Sequence, residues 1–151
     1  MSSSAWSSPP VDKRPMWYFA IPWTGEQTRA ALQIRRADPD STKDQAVSDS
    51  IARAQADQRD FPQHLFRWAR MDISAIIEKR LRTEDFRMGY YNLSNGHYIA
   101  MIVLRTKRGD SESDLDESPD LHEPRATDAQ VEVLRSKGWV VEWYRACPNW
   151  F

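Results

Sequence analysis

With 151 residues, 40% of them hydrophobic and 28% charged, the chain has the size and composition of one ordinary globular domain. A single cysteine, Cys147, excludes an internal disulfide, no apolar run approaches the roughly 20 residues that span a bilayer, and the stretch Met1–Pro10 lacks the basic and apolar regions of a secretory leader, so an intracellular protein, cytoplasmic or nuclear, is expected. The formal net charge of −1 argues against a dedicated non-specific nucleic-acid binder, yet it conceals a split: residues 1–108 hold 17 Lys/Arg against 12 Asp/Glu, and residues 109–151 hold 4 against 10.

Residues 1–14 are rich in Ser and Pro and read as a disordered tail ahead of a single α+β domain over 15–147. Met16 to Ile21 is an apolar, aromatic-rich run stopped by Pro22, which predicts a strand. Thr24-Gly25-Glu26-Gln27 has the spacing of a capping box, and Ala30, Ala31 and Ile34 follow at helical intervals; a second strand is the rival, since Leu32, Ile34 and Arg36 alternate. A weakly amphipathic helix carrying Val47, Ile51 and Ala54 is expected over 42–58. A much clearer one is expected over 63–82, with Leu65, Ala69, Ile73 and Ile77 on one face and Pro62 in the first turn. Its last turn is expected to hold Lys79, Arg80 and Arg82, where cations suit the negative end of the helix dipole.

Phe86–Leu93 and His97–Thr106 flank Asn95-Gly96, the strongest short signal for a β-hairpin. Residues 109–124 hold seven acids and no Lys or Arg, the composition of a disordered insert. Thr127 to Gln130 caps a short helix through Ser136 that Gly138 ends; Trp139–Ala146 closes the domain as a strand, and residues 148–151 form an aromatic tail.

The order strand–helix–strand–strand–helix–strand is the ferredoxin-like pattern: a four-stranded antiparallel sheet with extra helix in its first crossover. Met16–Ile21 and Tyr98–Leu104 are apolar on both faces, as the central first and third strands of that sheet should be. Six of the seven tryptophans lie in the first 23 or last 13 residues, so the two ends of the chain are expected to meet as neighbouring strands. Helices cover one face of such a sheet, which leaves apolar groups on the other for a helix, a tail, a subunit or a ligand to cover.

That second face sets the functional expectation of a small interaction or assembly module. A protein partner or a second copy would contact Tyr18, Met101 and Tyr144 on the sheet together with the terminal Trp150 and Phe151. The alternative is a small-molecule enzyme or binder of the dimeric α+β-barrel type, its pocket lined by Tyr18, His97, Tyr98 and Tyr144, with His97 and Tyr98 as the candidates for proton transfer. A single-stranded RNA binder using the same face is a third reading, less favoured because the strand Asn95–Ile102 lacks the basic residue and aromatic spacing of RNA recognition modules. Arg80, Arg82, Arg105, Lys107 and Arg108 are candidates to hold phosphate or an acidic partner. Ser111 and Ser113, each with an acid three residues on, are candidate phosphorylation sites. His64, His97, His122 and Cys147 have no metal-ligand spacing, so neither metal nor cofactor is expected, and no membrane partner.

Overall fold

The computed structural model describes residues 13–37 and 61–148. The expected helix over 42–58 and the residues Trp6, Trp150 and Phe151 lie outside them. The described chain is α+β: strand β1 (Met16–Pro22), helix α1 (Gly25–Ala37), helix α2 (Phe61–Ile77), the hairpin β2 (Phe86–Asn92) and β3 (His97–Arg108), helix α3 (Asp128–Ser136) and strand β4 (Glu142–Arg145). The strands form one antiparallel sheet in the order β2-β3-β1-β4, so β1 and β3 occupy its middle and β2 and β4 its edges.

Each element follows from local chemistry. Thr24 caps α1, its Oγ1 accepting from the Gln27 N–H at 3.1 Å, which decides the segment for helix over the rival strand. Helix α3 has the full capping box, with Thr127 and Gln130 each accepting from the other's N–H. It stops at Gly138, whose φ of +96° suits glycine; the Trp139 N–H reaches back to the Leu134 carbonyl at 3.0 Å. Glycine is needed there for space as well, because a Cβ would stand 2.5 Å from Ile34 Cδ1 on α1.

Helix α2 ends earlier than its sequence suggests. The chain leaves it after Ile77 through Glu78, at φ +57°, and Lys79, Arg80 and Arg82 fall beyond the helix rather than in its last turn. A glutamate in the left-handed position carries none of the glycine or asparagine signal that marks a helix stop. Leu81 is fully buried in the core after the turn, and Arg70 Nη2 donates to its carbonyl at 2.8 Å.

The main core lies between the sheet and the helices. Ile21, Ile102 and Leu104 from the central strands meet Ala69, Ile73 and Ile77 of α2 and Val131 and Leu134 of α3, with Trp139 closing one end. The two ends of the described chain do meet: β1 pairs with β4, Phe19 lies 5.0 Å from Trp143 between ring centroids, and the Trp17 indole N–H donates to the Gly109 carbonyl at 2.9 Å.

The opposite face is covered by the sheet's own edges. Past β4 the chain crosses to β2: Gly89 and Ala146 form an antiparallel bridge, the Cys147 N–H donates to the Met88 carbonyl at 3.1 Å, and the Tyr91 and Tyr144 rings stack at 6.2 Å. Beneath this closure sits a second small core of Tyr18, Ala20, Met101, Val103 and Ala146. The sheet can curl this far because β3 carries a bulge, where Phe19 and Ala20 pair with Arg105 and Val103 and leave Leu104 as an extra residue.

Residues 109–124 also differ from expectation. In place of a disordered insert, the segment is tied down at both ends. Gly109 bonds Pro15, a short 3₁₀ turn over Glu112–Asp114 tucks Leu115 into the structure at 1% exposure, and the Leu121 and Arg125 N–H groups donate to the Thr106 and Leu104 carbonyls at 2.8 Å. The returning stretch thus takes the edge of β3 that β2, whose first residue pairs with Ile102, leaves open. Leu115, the leucine of this segment that is buried, anchors a stretch with seven acids whose composition alone reads as unfolded.

Candidate functional site

A cleft of about 650 Å³ opens beside the β3 bulge. Tyr18 of β1 and Thr106 of β3, which pair across the sheet, lie in its lining. Arg105 comes from the bulge and Arg87 from β2; Asp85 precedes β2, and His122, Glu123 and Arg125 come from the returning acidic segment. Four separate pieces of chain therefore converge, and only the curl of the sheet and the anchoring of 109–124 bring them together.

The charged groups on this wall are held in place. Asp85, nearly buried, accepts from the Arg82 N–H at 2.7 Å and from Arg125 Nη2 at 3.0 Å, while the same Arg125 nitrogen donates to the Arg80 carbonyl at 2.9 Å. Arg105 Nη2 donates to Asp128 at 2.8 Å. Burial pushes the Tyr18 phenol above its ordinary range, opposed by the nearby Arg87 charge, so it is a neutral hydroxyl able to donate or accept. In contrast, three buried polar atoms of lining residues have no hydrogen-bond partner among the described residues: Thr106 Oγ1, Arg105 Nε and Arg125 Nε.

The residues singled out in the sequence are dispersed. Tyr18 and Met101 are 2% and 0% exposed, so they belong to the second core and not to a contact surface; the curl of β2 and β4 removes them from reach. Tyr144 is half-buried against Tyr91. His97 and Tyr98 stand exposed at the hairpin, with His97 6.0 Å from Tyr91, and neither lines the cleft. Of the set Tyr18, His97, Tyr98 and Tyr144, this cleft therefore takes Tyr18 alone, and His97 and Tyr98 stand exposed at the hairpin.

The basic set is split as well. Arg105 joins the cleft, and Arg80 and Arg82 are exposed beside it, Arg82 lying 3.8 Å from Glu84. Lys107 turns to the Leu115 carbonyl and the Trp143 ring, and Arg108 donates to the Arg14 carbonyl at 2.9 Å. Ser111 and Ser113 are exposed, their hydroxyls 2.8 Å apart. Thr106, Arg87, Asp85 and Arg125 escaped the sequence reading because nothing local marks them: they become a site only through pairing and return of the chain.

No helix among the described residues is long and apolar enough to cross a membrane, and no group of three or more His, Cys, Asp or Glu among them is placed to hold a metal ion. In comparisons with known proteins, no family model, no curated protein and no solved structure matches the chain.

Proposed function

We propose that the chain is a small-ligand-binding domain whose site is the cleft beside the β3 bulge, around Arg87, Arg105, Thr106 and Arg125. The observation that carries this reading is that three residues lining it, Thr106, Arg105 and Arg125, each hold a buried polar atom (Oγ1, Nε and Nε) with no partner among the described residues. A buried polar group without a partner costs about 1–3 kcal/mol, and a domain is stable by only about 5–15 kcal/mol, so three of them are expensive unless something completes them. A guanidinium does not give up its proton, hence the missing complement is an acceptor: a carboxylate, phosphate or carbonyl oxygen. A volume of about 650 Å³ suits a small molecule. Burial of Tyr18 and Met101 weakens the rival reading, a protein-contact surface on this sheet face.

We infer further that the sheet is of the ferredoxin-like kind. What supports this is the order β2-β3-β1-β4 with every neighbouring pair antiparallel, which places the first and third strands centrally. An intracellular setting suits a chain whose one cysteine is buried and free.

The test is a thermal-shift screen of small carboxylates, phosphates and neutral carbonyl compounds against the protein and Thr106→Val. At 100 times its Kd a ligand contributes about 2.7 kcal/mol, which raises Tm by about 5–10 °C in a domain of this size. Loss of the Thr106 hydroxyl should weaken the best compound by about 3- to 10-fold. A panel without a single shift, or equal binding by Thr106→Val, overturns the reading.

A further inference from the structure

Residues 109–124 hold three serines, Ser111, Ser113 and Ser118, and the fold sorts them. Ser118 is buried, and its hydroxyl donates to the Asp114 carbonyl at 2.9 Å, so it is closed to chemistry. Ser111 and Ser113 are exposed, their hydroxyls touching each other at 2.8 Å. In sequence these two are alike: each has an acid one and three residues on, Glu112 and Asp114 for Ser111, Asp114 and Asp116 for Ser113. In the structure they differ. The Asp114 carboxylate is occupied in holding the 3₁₀ turn, its Oδ2 accepting from the Asp110 and Ser111 N–H groups at 3.0 and 3.2 Å. Asp116 is exposed, as is Glu117 after it, and neither makes a hydrogen bond or ion pair among the described residues.

We propose that Ser113 is the phosphorylation site of an acid-directed serine kinase, and that its phosphate loosens the segment 109–124. Such an enzyme reads the acid three residues beyond its target through Arg and Lys side chains, and of the two acids so placed Asp116 is the one with its carboxylate open to them. The Ser113 Oγ attacks the terminal phosphorus of a nucleoside triphosphate, its proton passes to the kinase's base, and the bond from phosphorus to the bridging oxygen breaks to release the diphosphate. The product carries about −1.5 to −2 charges next to Asp114. No Lys or Arg within 109–124 offsets them, so the repulsion acts on the carboxylate that holds the turn immediately ahead of the Leu115 anchor. The same segment carries His122 and Glu123 to the cleft, so the modification acts on that wall whatever the cleft binds.

The experiment is incubation of the full chain with a purified acid-directed serine kinase of the casein-kinase type and MgATP, followed by mass spectrometry to locate the phosphate. The expected result is phosphate on Ser113. Ser113→Ala should lower incorporation about tenfold or more, Asp116→Asn about tenfold, and Ser111→Ala should leave it within about twofold. All three positions are exposed, so the variants keep the fold. In the phosphorylated chain the Leu115 and Leu121 amides, which donate to the Glu112 and Thr106 carbonyls, should exchange hydrogen about fivefold faster or more, with the amides of the β2–β3 hairpin unchanged. No incorporation, phosphate on Ser111 in place of Ser113, or full incorporation in Asp116→Asn overturns the site. Unchanged exchange at Leu115 and Leu121 overturns the loosening. None of these outcomes bears on ligand binding in the cleft beside Thr106.

Discussion

Gly89→Ala probes the closure of the sheet's edges, the feature that decides what becomes of the face without helices. A Cβ at position 89 would stand 2.6 Å from Met101 Sδ, 3.2 Å from its methyl and 3.5 Å from the Arg145 carbonyl oxygen. Met101 is completely buried, so the thioether has to move into packed surroundings or β2 has to withdraw from the chain after β4. Withdrawal would break the Cys147 to Met88 hydrogen bond and the Gly89–Ala146 bridge. Overpacking of this kind costs about 1–3 kcal/mol, equivalent to a fall in Tm of about 2–10 °C for a chain this long. Met101→Ala alone removes the obstacle and leaves a hole, at about 2–5 kcal/mol. In the double variant the new methyl fills part of that hole, so its loss of stability should fall short of the sum of the single losses by about 1 kcal/mol or more. Urea unfolding followed by tryptophan fluorescence measures all three, with equal m-values as the check on two-state behaviour. A neutral Gly89→Ala, or strict additivity in the cycle, would refute contact between β2 and the end of β4 through Met101.

Leu115→Ala should cost about 2–5 kcal/mol and release amide protection across residues 109–124 in hydrogen exchange; protection unchanged from the parent chain would show that Leu115 is no anchor. Thr127→Ala removes the cap of α3 and should lower stability by about 1 kcal/mol in urea unfolding, with Thr127→Asp or Thr127→Ser restoring most of it. Burial raises the Cys147 thiol and the Tyr18 phenol above their ordinary values of 9.0 and 10.0. The folded state therefore keeps protons that the unfolded chain releases, and stability should be undiminished by these groups below about pH 9 and fall as pH rises past 9 and then 10. Unfolding free energies measured between pH 7 and 11 check this; Tyr18→Phe should flatten the later part of the fall, and an identical profile in that variant would sink the assignment.

Much of the framework was legible in the sequence because it rests on local rules. Thr24 and Thr127 mark helix starts through capping spacing, Asn95-Gly96 marks the hairpin, Gly138 marks a helix end, and the apolar runs Met16–Ile21 and Tyr98–Leu104 mark the two central strands. The pairing of β1 with β4 followed from the tryptophans loaded at both ends of the chain. Where local rules are silent the expectation failed. Glu78 ends α2 with no stop residue, and Leu115 secures an acidic stretch that composition assigns to disorder.

The site belongs to tertiary structure almost entirely. Thr106 and Arg125 are an unremarkable strand threonine and loop arginine until the chain after Leu115 returns along β3 and the bulge at Leu104 turns the strand. Tyr18 reads as a surface aromatic until β2 and β4 curl towards each other above it. Local sequence encodes which residues alternate, cap and turn, because those choices depend on neighbours a few positions away. How far a sheet curls depends on every side chain packed beneath it at once. Met101 under Gly89 is one such contact, and no window of the sequence contains both strands with the chain that closes over them.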